Sequence, residues 1–218
     1  MDQRGDEVED FESRVVEHGD GGWTLWVQQP GSGPFAVLEG YPGNLPDGRG
    51  VMGRETNAAL SLHVEDDKDG SVAEIYLDGH AQNAKRIRFP FSHSSEVVRF
   101  FKWAVSPGMM GIDAADVFSV LPMTDGMGLI AECQRPRGQR DLDDVQEILA
   151  GQVSEHGPAC SAMVVLPVDD TVTPGTVDVV AQSVRRNIPR ESALVLAAPL
   201  AVADREPMRT GVFWSSLG

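Results

Sequence analysis

Only two of the 218 residues are cysteine, three are lysine and 6% are aromatic. Two cysteines, Cys133 and Cys160, cannot make a disulfide framework. Each lies in or beside an apolar run, which predicts buried, inert thiols. The five histidines are scattered without ligand spacing, so no metal site is expected. No apolar run reaches the roughly 18 residues that a membrane-spanning helix needs, and the acidic N-terminus is unlike a signal peptide. A soluble, cytoplasmic protein is the expectation. Basic residues are also scarce: 18 cations against 33 acids give a net charge of −15. Phosphate backbones and anionic lipid surfaces both need a basic face, so nucleic acid and membrane insertion are not expected partners. The hydrophobic fraction of 41% is still too high for a disordered chain.

What is present falls into three stretches. Residues 1–20 carry eight acids against Arg4 and Arg14, a block that reads as a flexible, solvated tail. Residues 21–90 form a β-rich domain of short strands and turns. Trp23–Val27 and Phe35–Leu38 are aromatic or branched runs. Leu60–Val64 and Ala73–Leu77 flank Asp67-Lys68-Asp69-Gly70, which predicts a hairpin, because glycine accepts positive φ at the turn.

Residues 91–218 change character. Ser94-Ser95-Glu96 can cap a helix whose apolar face is Val97, Phe101, Ala104 and Val105. Trp103 lies off that face and is the aromatic best placed for an interface. Trp23 and Trp26 read more as core residues than as interface. Val117–Leu121 and Met127–Cys133 read as strands around Thr124-Asp125-Gly126, although the first could begin as a short helix. A helix is expected at 141–153 and a buried strand at Met163–Val168. Thr173-Pro174 caps and starts another helix, with Val177, Val180, Ala181, Val184 and Ile188 on one face. Strands at 193–198 and 210–215 close the chain as a pair. The fold class is α+β: a β-rich domain followed by an α/β sandwich with helices on one face of a mixed sheet.

Catalytic signatures are missing. There is no phosphate loop of either common type and no G-x-S-x-G elbow. Asp169-Asp170 at the end of a buried strand marks where a ligand could lie. A hydrolase using them with a nearby histidine is the least supported reading, and a solvated turn the plainer one.

The informative segment runs from Ser106 to Val117. It holds Pro107-Gly108-Met109-Met110-Gly111 after a helix, then Asp113-Ala-Ala-Asp116-Val117, then Gly126-Met127-Gly128. This order resembles the C-terminal domain of the tubulin-like cell-division GTPase family FtsZ, from its synergy loop onward. In that family a helix ends in Pro-Gly-Leu-Ile-Asn, followed by Asp-x-x-Asp-Val and a strand with Gly-Met-Ala. The resemblance covers about 125 residues, and the later helices and strands keep the family's order.

By that resemblance, Asp113 and Asp116 would enter a neighbouring subunit's nucleotide pocket and orient the attacking water. Residues 107–111 would form the partner-binding loop. The plainer alternative is that Asp113 caps a short helix and Asp116 faces solvent. The family's Asn before the first Asp is Gly111 here, and its Gly-Gly-Gly-Thr-Gly-[Ser/Thr]-Gly loop has no counterpart. No cofactor is therefore expected, and enzymatic activity is not. The resemblance implies a cytoskeletal interaction protein that meets itself or a tubulin/FtsZ-like GTPase filament. The alternative is a structural or assembly protein, of a virus or other particle, that only shares the fold.

Overall fold

The computed structural model describes residues 12–17, 23–28, 34–41, 59–77, 84–106, 108–122, 126–133, 147, 151, 159–169, 172–200 and 210–217. The expected helix at 141–153 lies outside them, apart from Glu147 and Gly151, both helical. The protein is a mixed α+β fold, and the described strands form one sheet of eleven.

Strands β1 (Glu12–Glu17), β2 (Trp23–Gln28) and β3 (Pro34–Tyr41) form an antiparallel meander. β1 thus occupies the end of the acidic stretch read as a tail. β3 pairs in parallel with β4 (Leu60–Asp67), which turns through Lys68-Asp69 into β5 (Gly70–Leu77). This is the expected hairpin, with Gly70 at φ 135°. A side chain there would strike the carbonyl oxygen of Phe89, so the turn requires glycine. β6 (Lys85–Phe89) completes the first half.

The sheet continues without a break into the second half. After helix α1 (Ser94–Ala104), edge strand β7 (Gly108–Met110) and helix α2 (Ala114–Ser119), β8 (Gly126–Cys133) returns parallel to β6. Their register holds only Ile87↔Gly126 and Arg88↔Met127. β9 (Ser161–Val165), helix α3 (Pro174–Arg186), β10 (Leu194–Pro199) and β11 (Thr210–Leu217) follow. The strand order is β1-β2-β3-β4-β5-β6-β8-β11-β9-β10-β7.

One alternative is decided and three expectations are corrected. Val117–Leu121, read as a strand or as the beginning of a short helix, takes the helical alternative: it is the end of α2 and its exit. The closing strands β10 and β11 do not pair, because β9 lies between them. Helices cover both faces of the sheet. α1 and α2 pack with Leu62, Ile75, Ile87, Met163, Val165 and Phe213, while α3 packs with Ala162, Val164, Val212 and Trp214. Successive residues of β9 feed opposite layers, which is why all five are buried. Finally, Trp103 is core: it is 4% exposed. α1 lies on a broad sheet and buries Val98, Phe100 and Trp103 as well as the Val97/Phe101/Ala104 stripe. Trp23 and Trp26 sit in β2, and their side chains lie outside the described residues.

Glycines let aromatic rings lie flat on this core. A Cβ at Gly211 would sit 2.8 Å from the Phe100 ring. Phe100, Phe101 and Phe213 meet as tilted or edge-on rings 5.6–6.4 Å apart. Arg99 on α1 grips Glu132 on β8 with two hydrogen bonds, at 2.8 and 3.3 Å, fastening the helix to the sheet.

Candidate functional site

The loop singled out in the sequence sits at one edge of the sheet. β7 pairs antiparallel with β10 on one side and ends the strand order on the other. Gly108 is pressed against β10, where a Cβ would lie 2.0 Å from the carbonyl oxygen of Ala198. The chain can hug this edge only without a side chain at that position. Met109 (53% exposed) and Met110 (38%) follow it as successive residues of the edge strand, and Leu200, just past the end of β10, is 52% exposed. Pro107 lies outside the described residues, and Gly111 is exposed.

Asp113 ends the loop as the N-cap of α2. Its Oδ1 accepts from the backbone N–H of Asp116 at 2.8 Å, and Asp116 Oδ2 accepts from the N–H of Asp113 at 3.0 Å. This is a reciprocal capping box. The plainer role expected for Asp113 is therefore present. Both side chains are also exposed, so each retains acceptor capacity toward solvent.

The far end of α2 is held firmly, which sets the loop's position. Ala114, Val117, Val120 and Leu121 are buried against the α1 layer. Lys85 on β6 donates from Nζ to the carbonyls of Phe118 (2.8 Å) and Leu121 (2.9 Å) and lies 4.3 Å from the centre of the Phe118 ring. Burial pushes the Lys85 ammonium below the usual lysine range. The hydroxyl of Ser161 donates to the carbonyl of Val120 and shares a hydrogen bond with Ser215. Three carbonyls at the end of α2 and just past it, those of Phe118, Val120 and Leu121, thus accept from a cation or a hydroxyl, in the place where a helix C-terminus favours positive charge. Sequence reasoning missed Lys85. The signal was its rarity, since it is one of only three lysines.

Other candidates separate. Asp169 is exposed and its carbonyl accepts from Val172 N–H in a turn, while Asp170 lies outside the described residues. Cys160 is a free thiol and only half-buried, against the expectation of burial, because it precedes β9 rather than lying within it. The Cys133 side chain lies outside the described residues. Among the described residues, no three of His, Cys, Asp or Glu come together as a metal-ligand set. No described helix is long and apolar enough to cross a membrane.

On the outer face of β4–β6, Tyr76 donates to Glu74 Oε2 at 2.6 Å. Burial, and then that bond and the charge of Glu74, hold the phenol far above its ordinary pKa. Glu65 is also pushed up, first by burial and then by the charge of Glu74, with Arg86 and His63 pulling the other way.

No family model matches the chain, and no curated protein matches it. Among solved structures it is similar to an FtsZ mutant from M. jannaschii, at 15% identity and a TM-score of 0.39, covering 57% of this chain and 37% of that one. It is similar too to an empty FtsZ dimer from the same organism, at 14% identity and a TM-score of 0.44, covering 56% of this chain and 36% of that one. The chain spans 36–37% of the length of those FtsZ chains. The likeness is distant in sequence and in fold.

Proposed function

We propose that this is a non-enzymatic interaction protein, and that its contact surface is the β7 edge with the loop that follows. The observation that carries this reading is the pair of exposed methionines on a sheet edge that has no further strand among the described residues, continued by the two exposed carboxylates of the α2 cap. An open edge presents free backbone donors and acceptors, and natural sheets usually blunt such edges with charge. Here the edge residues are apolar and the charge comes only at Asp113. Methionine also suits contact surfaces, because its unbranched, polarizable chain adapts to the partner.

On the resemblance read in the sequence, the partner is a tubulin- or FtsZ-like GTPase filament, whose assembly or GTP hydrolysis the protein regulates in trans. Filament subunits meet head to tail, so a chain carrying one half of such a contact would end growth. The test is cosedimentation with the host's tubulin-like GTPase and measurement of its hydrolysis rate. The expected result is co-pelleting and an altered rate. Met110→Glu should abolish co-pelleting. Asp113→Asn with Asp116→Asn should remove the rate effect, because asparagine keeps the capping acceptors but not the charge. If neither pelleting nor rate responds to the wild-type protein, the filament reading fails. A large closed homo-oligomer in light scattering would instead favour a structural or assembly role.

A further inference from the structure

A second feature lies on the opposite side of the sheet's central seam. The run Lys85-Arg86-Ile87-Arg88 places three cations in four residues of a chain whose net charge is −15. Strand alternation separates them. Lys85 and Ile87 turn toward the α1 and α2 layer, while Arg86 and Arg88 are exposed on the other face. There the register sets Val72, Arg88 and Met127 side by side on β5, β6 and β8. α3 covers this face farther along, over β8, β11 and β9, and Met127 packs partly against that cover. Where the cover stops, a cleft of about 470 Å³ opens, lined by Asp67, Val72, Arg86, Arg88, Pro90 and Met127 among others. It stands where, among the described strands, the parallel pair β6 and β8 barely meets and the sheet passes from one half to the other. Concave clefts with a mostly apolar lining and a few polar groups are where proteins commonly bind small ligands.

We infer that this cleft binds a small amphipathic monocarboxylate, with its apolar body on Val72, Pro90 and Met127 and its carboxylate on Arg86 and Arg88. The guanidinium of Arg88 is met, among the described residues, by the half-buried Asp67 at 3.6 Å and the exposed Asp69 at 3.9 Å, both beyond good hydrogen-bond distance. Among the described residues no carboxylate lies within salt-bridge distance of Arg86, although Glu74 stands opposite it on β5. Both arginines therefore have fork donors to offer, and a carboxylate is the anion whose geometry fits them in pairs. The neighbouring acids choose the charge of the ligand. Asp67, Asp69 and Glu74 outnumber the two arginines, so the cleft carries no net positive charge: a polyphosphate is repelled, and a lone carboxylate is held by the paired geometry of the guanidinium forks and not by the overall field. The lining, mostly apolar, favours a hydrocarbon body over a free inorganic anion.

The experiment is calorimetric titration of the full chain with octanoate, n-octanol and inorganic phosphate, repeated on Arg86→Met, Arg88→Met and the double variant. Both side chains are exposed, so the variants should fold, which their melting curves will show. Octanoate should bind and n-octanol and phosphate should not. Each single variant should weaken octanoate about tenfold or more, the loss expected for a charge-assisted hydrogen bond. Met127→Glu should abolish binding while leaving both arginines in place. Absence of octanoate binding, equal binding by the double variant, or phosphate binding as tight as octanoate would each overturn the inference.

Discussion

Replacing Lys85 with methionine tests how the interaction loop is anchored. Methionine keeps most of the aliphatic stem and removes the ammonium. Two hydrogen bonds at 2.8 and 2.9 Å disappear: the carbonyl of Leu121 loses the ammonium, and that of Phe118 keeps the N–H of Leu121, at 3.3 Å. Hydrogen bonds to a charged group are worth about 1.5–3 kcal/mol when buried. Lys85 is only half-buried, so solvent screening reduces each to about 1 kcal/mol. The contact with the Phe118 ring adds about 0.5 kcal/mol. Against this stands the desolvation of the ammonium, which the variant recovers and which offsets about 1 kcal/mol. The net loss is about 1.5 kcal/mol, or a fall in Tm of roughly 3–6 °C for a chain of this size. Arg88→Met, which breaks only exposed ion pairs, should change stability by less than about 0.5 kcal/mol and serves as the control. Urea titration followed by tryptophan fluorescence measures both. Hydrogen exchange should also quicken at the amides of Val120 and Leu121, whose bonds close the last turn of α2. If Lys85→Met lies within 0.5 kcal/mol of wild type and those amides stay protected, the clamp does not hold the loop.

Gly211→Ala should destabilise the protein by about 1–3 kcal/mol, because the new methyl meets the Phe100 ring; adding Phe100→Leu should restore part of the loss in the same urea titration. The folded-state pKa of Glu65 is raised, so its contribution is favourable below the unfolded value near 4.3 and is lost as pH rises through the folded value. Glu65→Gln should therefore melt higher than wild type at pH 7, by a few tenths of a kcal/mol after screening, and the advantage should vanish near pH 4; an equal gain at both pH values would contradict the sign. Arg99→Met leaves the Glu132 side chain, only 10% exposed, without its partner and should cost about 2–3 kcal/mol. The double variant Arg99→Met with Glu132→Met should recover most of that, and thermal melts of the four proteins close the cycle.

Local chemistry made much of the fold legible. The Asp-Lys-Asp-Gly turn located the β4–β5 hairpin, and Thr173-Pro174 located the start of α3, where Thr173 Oγ1 accepts from Thr176 N–H at 3.2 Å. The unbroken apolar run at Met163 marked a strand buried on both faces and should have signalled helices on both sides. What could not be read depends on distant partners. β7 is three residues with no alternation, and it exists only because β10 runs beside it. Val117–Leu121 has strand-forming residues, but the Asp113–Asp116 capping box and the Lys85 clamp make it the end of a helix. The capping role of Asp113 was visible from the spacing of the two acids. The exposure of Met109 and Met110, and the convergence of Arg86, Arg88 and Met127, required the register.

The seam between β6 and β8 is a weak line through the middle of the sheet, since only two residue pairs cross it, as few as hold the short edge strand β7. Its integrity falls to α1, which contacts β3, β4 and β5 on one side and β9 and β10 on the other. The helix acts as a splint across a fracture. A load pulling the two halves apart would be borne by its phenylalanines and by the Arg99–Glu132 grip before the backbone ladder took any strain. The protein should yield all at once when that helix lifts, rather than peeling strand by strand from either edge.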